Sequence, residues 1–169
     1  RTGANVVLCP GTEGNLGDGI FRLSDYANHG GTWSIGTDSH ISLNPLEDLR
    51  WLDYAQRLTT HKRNTFDNPA QVLITNTLYA GRKAMNNSSS GKFFELNAPF
   101  DAVVFDADSP LLAKSGSEHV LPTILYNCDS SNITGTIVNG KWVVKNQTHH
   151  RGDEIKSKFI QTITTLGRE

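Results

Sequence analysis

Two cysteines and one methionine are all the sulfur this chain of 169 residues carries. With only Cys9 and Cys128 there is neither a disulfide framework nor a Cys-x-x-Cys metal knuckle. An excess of one charge is missing as well: 16 Lys and Arg stand against 17 Asp and Glu, a formal net charge of −1. With no basic stripe to displace counterions from a phosphate backbone, the balance argues against a dedicated nucleic-acid surface. No apolar run approaches the roughly 20 residues a membrane span needs, and no signal peptide is legible at the start. A cytoplasmic protein without nucleic-acid or membrane partners is the expectation. Asn86, Asn87, Asn132 and Asn146 each open an Asn-x-Ser/Thr glycosylation triplet. A chain rich in Asn, Ser and Thr produces such triplets by chance.

Chemical motifs are missing too. There is no His-x-His and no His-Glu-x-x-His, so the chain cannot close a catalytic zinc site, which takes about three protein ligands. The glycine-rich stretch GTEGNLGDG (11–19) lacks the Lys-Ser/Thr of a phosphate loop and the glycine spacing of a dinucleotide fold. No nucleophile elbow surrounds any serine or cysteine.

What is present is ordinary composition for one domain, or one and a piece: 37% apolar and 20% charged residues. NVVLCP (5–10) reads as a short buried strand stopped by Pro10, followed by the glycine-rich stretch as a loop. A short helix is expected from Ser24 to Gly30-Gly31, and TWSIGTD (32–38) reads as a second strand. Strand, helix, strand over so short a span predicts parallel pairing. Asn44, Pro45 and Glu47 mark a helix start with a capping box, and Leu46, Leu49, Leu52, Ala55 and Leu58 follow at helical spacing. Asn68-Pro69 opens another helix that runs to about Met85, with Val72, Leu73 and Leu78 as core candidates.

NNSSSGK (86–92) reads as a flexible boundary, and beyond it the character turns to β. AVVF (102–105) and TILY (123–126) are predicted strands. TIVNGKWVV (136–144) predicts a hairpin, because Asn139-Gly140 supplies the positive φ angles of a type I′ turn. A closing helix from about Asp153 places Ile155, Phe159, Ile163 and Leu166 on one stripe. The fold class is therefore α/β plus β, with one boundary between 1–87 and 88–169. Two parallel strands make no complete sheet, so their open edges call for a partner.

Asp38 is the leading candidate for chemistry. It closes a predicted parallel strand, the end at which α/β folds gather catalytic groups. A carboxylate there can hold a divalent metal and accept a proton from water. It can equally be part of a plain turn leading into a helix, which Asp, Ser and Thr favour. His40 is either a donor that orients Asp38 or a surface histidine. His149 and His150 read as a solvated loop, and Cys9 as core rather than reactive. Thr12, Glu13 and Asn15 project from the end of the first strand, on the same side of the sheet as Asp38.

VVLCPGTEGNLGDGIF and GTWSIGTDSHISLNPLEDLRWLDYAQRL together closely resemble the last two βα units of metal-dependent amidohydrolases. Within that superfamily the likeness is greatest to deiminases acting on formimidoylglutamate. PFDAVVFDADSP and IVNGKWVVKNQTHH resemble its small β-sandwich domain. The resemblance implies the C-terminal βα units of a TIM-type (β/α)8 barrel, then part of a β-sandwich and a terminal helix. It implies that Asp38 is a zinc ligand and proton shuttle, that His40 is the histidine beside it, and that Thr12, Glu13 and Asn15 line the substrate pocket. Gly11, Gly14 and Thr37 depart from the commoner family residues without removing a functional group.

The same resemblance implies that most of the barrel, which takes ~250 residues, lies upstream of Arg1. The expectation is the C-terminal portion of a hydrolase of carbon–nitrogen bonds, taking a small imine or amidine substrate. Zn2+ or another divalent metal would serve the complete enzyme without being held by this chain alone. The isolated chain would be inactive. The missing barrel portion, or a homo-oligomer, would cover its open edges. A related guanine deaminase or chlorohydrolase, and a non-catalytic interaction domain of the same shape, are the alternatives.

Overall fold

The computed structural model describes residues 3–86 and 94–167. It contains two compact units: Arg1–Lys92 with Ala107–Ser130, and Phe93–Asp106 with Ser131–Glu169. The expected linker at 86–92 falls almost wholly outside the described residues.

In the first unit, β1 (Asn5–Leu8) and β2 (Thr32–Ile35) pair in parallel, with Asn5 opposite Thr32 and Leu8 opposite Ile35. Helices α1 (Pro10–Leu16) and α2 (Leu23–Asn28) lie between them in sequence; α3 (Pro45–Thr60) and α4 (Pro69–Ala84) follow. The glycine-rich stretch is thus not the expected loop from end to end. Its residues up to Leu16 are helical because Pro10 occupies the first helical position and Glu13 Oε1 accepts the Cys9 N–H at 2.7 Å. Gly17 ends that helix at φ 75°, a left-handed cap that glycine adopts without a Cβ penalty.

Asn44 caps α3 as predicted, its side chain accepting from the Leu46 N–H at 3.2 Å. Glu47 does not close the box. It accepts from the Ser42 hydroxyl, and Ser42 Oγ in turn accepts the Asn44 N–H, both at 3.2 Å. The core of this unit is Leu8, Leu23, Trp33, Leu49, Leu52, Ala70, Leu73 and Leu125. Each such large side chain contributes about 1.5–3 kcal/mol on burial.

Leu125 carries two corrections. TILY is not a strand but part of helix α5 (Val120–Asn127), which seats Leu125 fully buried in the first unit's core. Its β-branched composition is overridden by packing, and Pro122 falls in the first turn, where its missing N–H is harmless. Residues 107–130 therefore return to the first unit, in place of one boundary at 87/88.

Helix α3 holds these pieces together with polar groups on its buried face. Arg50 Nη1 donates to the carbonyls of Leu125 and Cys128 at 2.9 and 2.8 Å, at the C-terminal end of α5. Gln56 is buried; it accepts the Leu23 N–H at 3.1 Å and donates to the Phe21 carbonyl at 2.7 Å, fixing the start of α2.

The second unit is an antiparallel sheet ordered β3 (Ala102–Phe105), β4 (Ile133–Val138), β5 (Lys141–Lys145), β6 (Thr148–His149), followed by α6 (Gly152–Leu166). Asn139 (φ 49°) and Gly140 (φ 74°) form the predicted hairpin turn. Gly135 admits the Trp142 ring against its backbone: a Cβ there would lie 2.5 Å from a ring carbon. Among the described residues no hydrophobic side chain of this unit is buried, and the α6 stripe of Ile155, Phe159, Ile163 and Leu166 is exposed. Among the described residues, no helix is long and apolar enough to cross a membrane.

Candidate active site

Because β1 and β2 are parallel, the segments leaving their carboxyl ends emerge on one side. Cys9 and α1 leave the first; Gly36 to Ser42 leave the second. Gly36 continues the ladder, its N–H donating to the Leu8 carbonyl at 2.9 Å. It must be small, since a Cβ would come within 3.3 Å of Cys9 Sγ and 3.1 Å of a Val7 methyl. The chain then turns at residues 38–40, where the His40 N–H donates to the Thr37 carbonyl at 2.9 Å. Asp38 (φ 44°) and His40 (φ 57°) both take left-handed conformations, and both are exposed. The two readings of Asp38 therefore coexist: it lies in a turn, and that turn stands at the carboxyl end of a parallel strand.

The α1 residues separate in the structure. Thr12 is buried, with its hydroxyl 3.0 Å from Ser39 Oγ and 3.5 Å from the Thr37 carbonyl. Glu13 is half-buried and turned back on the Cys9 N–H. Asn15 is exposed on the far part of the short helix. Thr12 thus meets the Asp38 turn directly, Glu13 stands beside Cys9, and Asn15 is turned to solvent.

Two groups that sequence reasoning passed over, and a cysteine it read as core, complete the arrangement. Ser39 is the partner of Thr12. Asp48, buried in the first turn of α3, accepts the Gly11 N–H at 3.2 Å. Burial pushes its carboxyl above the ordinary range; the Gly11 N–H opposes that rise and the Glu47 charge adds to it. Cys9 is the third. Burial raises its thiol first, then the charges of Asp38 and Glu13 raise it further, against a hydrogen bond from the Gly36 backbone. Such a thiol is a weak nucleophile. A signal for Asp48 did exist: on α3 it falls one residue before Leu49 and four before Leu52, on the face they share.

Chemically, an exposed carboxylate in a turn at a strand end can take a proton from a water or bind a cation. Among the described residues no three His, Cys, Asp or Glu side chains gather where a metal could bind. A catalytic metal site needs about three protein ligands, and the described residues bring no such set together.

Residues 1–143 match the amidohydrolase family. The chain belongs to that family. It is 36% identical to the formimidoylglutamate deiminase of Pseudomonas aeruginosa over 98% of its own length and 37% of that protein's. Among solved structures it superposes on an amidohydrolase from Brucella melitensis with a TM-score of 0.83 and 28% identity, covering 96% of this chain and 36% of that one. An adenosine deaminase from Xanthomonas campestris, solved with bound zinc, gives a TM-score of 0.72 at 18% identity over 86% of this chain and 33% of that one. This amidohydrolase chain spans about a third of the length of the relatives it matches. It shares their α/β fold over that stretch.

Proposed function

We propose that this amidohydrolase chain is the C-terminal portion of an N-formimino-L-glutamate iminohydrolase. On that reading β1 and β2 are two strands of a (β/α)8 barrel completed by a portion outside this chain, and β3–β6 are part of a small β-sandwich. The reaction adds water across the imine carbon, R–NH–CH=NH + H2O → R–NH–CHO + NH3. Asp38 takes the proton of the attacking water and returns it to the leaving nitrogen. His40, at the other end of the same turn, orients the carboxylate, and the segment around Thr12, Glu13 and Asn15 bounds the substrate. Zn2+ or another divalent metal, which would activate water in the complete enzyme, would draw its remaining ligands from outside the described residues.

The observation that carries the reading is the placement of Asp38 at the carboxyl end of a parallel strand, in a chain 36% identical to a formimidoylglutamate deiminase. The test is ammonia release from formimidoylglutamate and from guanine by the full-length protein that carries this sequence. Formimidoylglutamate is expected to be the better substrate. Asp38→Asn is expected to lower its turnover by about a hundredfold or more. Wild-type turnover in that variant, or a preference for guanine, would sink the assignment.

A further inference from the structure

The Thr12 hydroxyl does something a substrate-lining threonine would not. It is buried, 4% exposed, and both groups it approaches belong to the Asp38 turn: Ser39 Oγ at 3.0 Å and the Thr37 carbonyl at 3.5 Å. Those two residues flank Asp38 on either side. We propose that Thr12 is a positioning residue, a latch that ties the turn after β2 to the helix after β1 and so sets the place of the Asp38 carboxylate. The inference rests on the reading of Asp38 as the proton-handling group.

Two further observations carry it. Asp38 and His40 hold positive φ angles of 44° and 57°, a conformation less favourable than the right-handed one even for Asp and His, so a fixed support beside the turn helps to hold it. Thr12 itself is fixed from both sides. Its predecessor Gly11 donates to Asp48 Oδ1 at 3.2 Å, and its successor Glu13 accepts the Cys9 N–H at 2.7 Å. Gly11 also lets α3 approach, since a Cβ there would stand 3.0 Å from the same Asp48 oxygen. A latch works only if its own base is rigid, and this one is built on the strand end and on α3.

The experiment uses the full-length protein with Thr12→Val, which keeps shape but loses the hydroxyl, and Thr12→Ser, which restores it. Ser39→Ala removes the same bond from the exposed side and leaves the core untouched. Two readouts are taken. The first is amide hydrogen exchange at His40, whose N–H closes the turn on Thr37; the second is kcat and KM for formimidoylglutamate.

Thr12→Val and Ser39→Ala are expected to speed exchange at His40 and to lower kcat by roughly 10- to 100-fold, with KM little changed. Thr12→Ser should restore most of both, and the Thr12→Val/Ser39→Ala double variant should lose no more than either single one. The latch is overturned if exchange at His40 is unchanged, if exchange quickens while kcat stays, or if Thr12→Ser is as impaired as Thr12→Val. Should Asp38→Asn keep full activity, the catalytic reading fails instead, and the exchange arm still decides whether the latch exists.

Discussion

Tyr126 donates its phenolic hydroxyl to Asp53 Oδ2 at 2.8 Å, joining α5 to α3 across 73 residues of sequence. Asp53 is fully buried and also accepts from Thr65 Oγ1 at 2.6 Å and pairs with Arg57 at 2.6 Å. The Arg57 guanidinium lies over the rings of both Tyr54 and Tyr126, 5.4 and 5.0 Å from their centroids, and Nη2 reaches the Tyr126 oxygen at 2.8 Å. Burial works against the arginine's charge, but the Asp53 carboxylate more than offsets it and holds the guanidinium above its ordinary value. Burial and the same carboxylate push the Tyr126 hydroxyl well up. The phenol therefore stays a donor at any ordinary pH.

That arrangement makes unequal demands on its members. Tyr126→Phe removes two hydrogen bonds, the one donated to Asp53 and the one accepted from Arg57, and keeps the ring under Arg57, so a loss of about 2 kcal/mol is expected. Asp53→Ala strands a partly buried guanidinium and two donors, so about 3 kcal/mol or more should be lost. Denaturant titration of the two variants checks the ranking. An Asp53→Ala protein as stable as Tyr126→Phe would show that the ion pair contributes little.

Asp48 gives a prediction in pH. Its folded carboxyl is raised above 3.8, chiefly by burial, so the folded state binds this proton more tightly than the unfolded chain does. The sign follows from that difference. The associated stability is fully present below the unfolded value and is lost as pH rises through the higher folded one. Asp48→Asn keeps an oxygen for the Gly11 N–H and removes the titration. Its thermal midpoint should therefore fall less than the wild type's between about pH 3.5 and neutrality. Parallel pH profiles of the two proteins would contradict this.

How much of this could be read from the sequence differs from residue to residue. The Asn139-Gly140 turn and the Asn44-Pro45 start of α3 were legible because local chemistry alone fixes them. The register of α3 was not. Counting only leucines and Ala55 put Leu58 on the buried face, yet Leu58 is 74% exposed while Asp48, Asp53 and Gln56 are buried. Polar side chains that satisfy distant partners occupy core positions, and no local pattern announces partners on α1, α2 and α5. TILY failed for a related reason, since Leu125 is helical to reach a core assembled far upstream. At the site, Asp38 was legible as a strand-end carboxylate. That Thr12 would turn inward to Ser39 depends on the separation of two loops, which spacing does not encode.

Cys9 supplies the last prediction, and it reports on Asp38 without any assay of turnover. Burial is the largest cause of its raised pKa, and the negative charge of Asp38 is the next. A negative neighbour disfavours the thiolate, so neutralising Asp38 lowers the thiol's pKa and increases the thiolate fraction at a fixed pH. Asp38→Asn should therefore speed alkylation of Cys9 by iodoacetamide at pH 8. The gain should be modest, because burial is unchanged. Cys128 is the internal control: it is buried in α5's C-terminal cap, and its thiol is raised by burial and Asp129 with no contribution from Asp38. Its slow alkylation should be identical in both proteins. Equal Cys9 rates in the two would mean that the Asp38 carboxylate does not face the strand end from which the whole reading of the site begins.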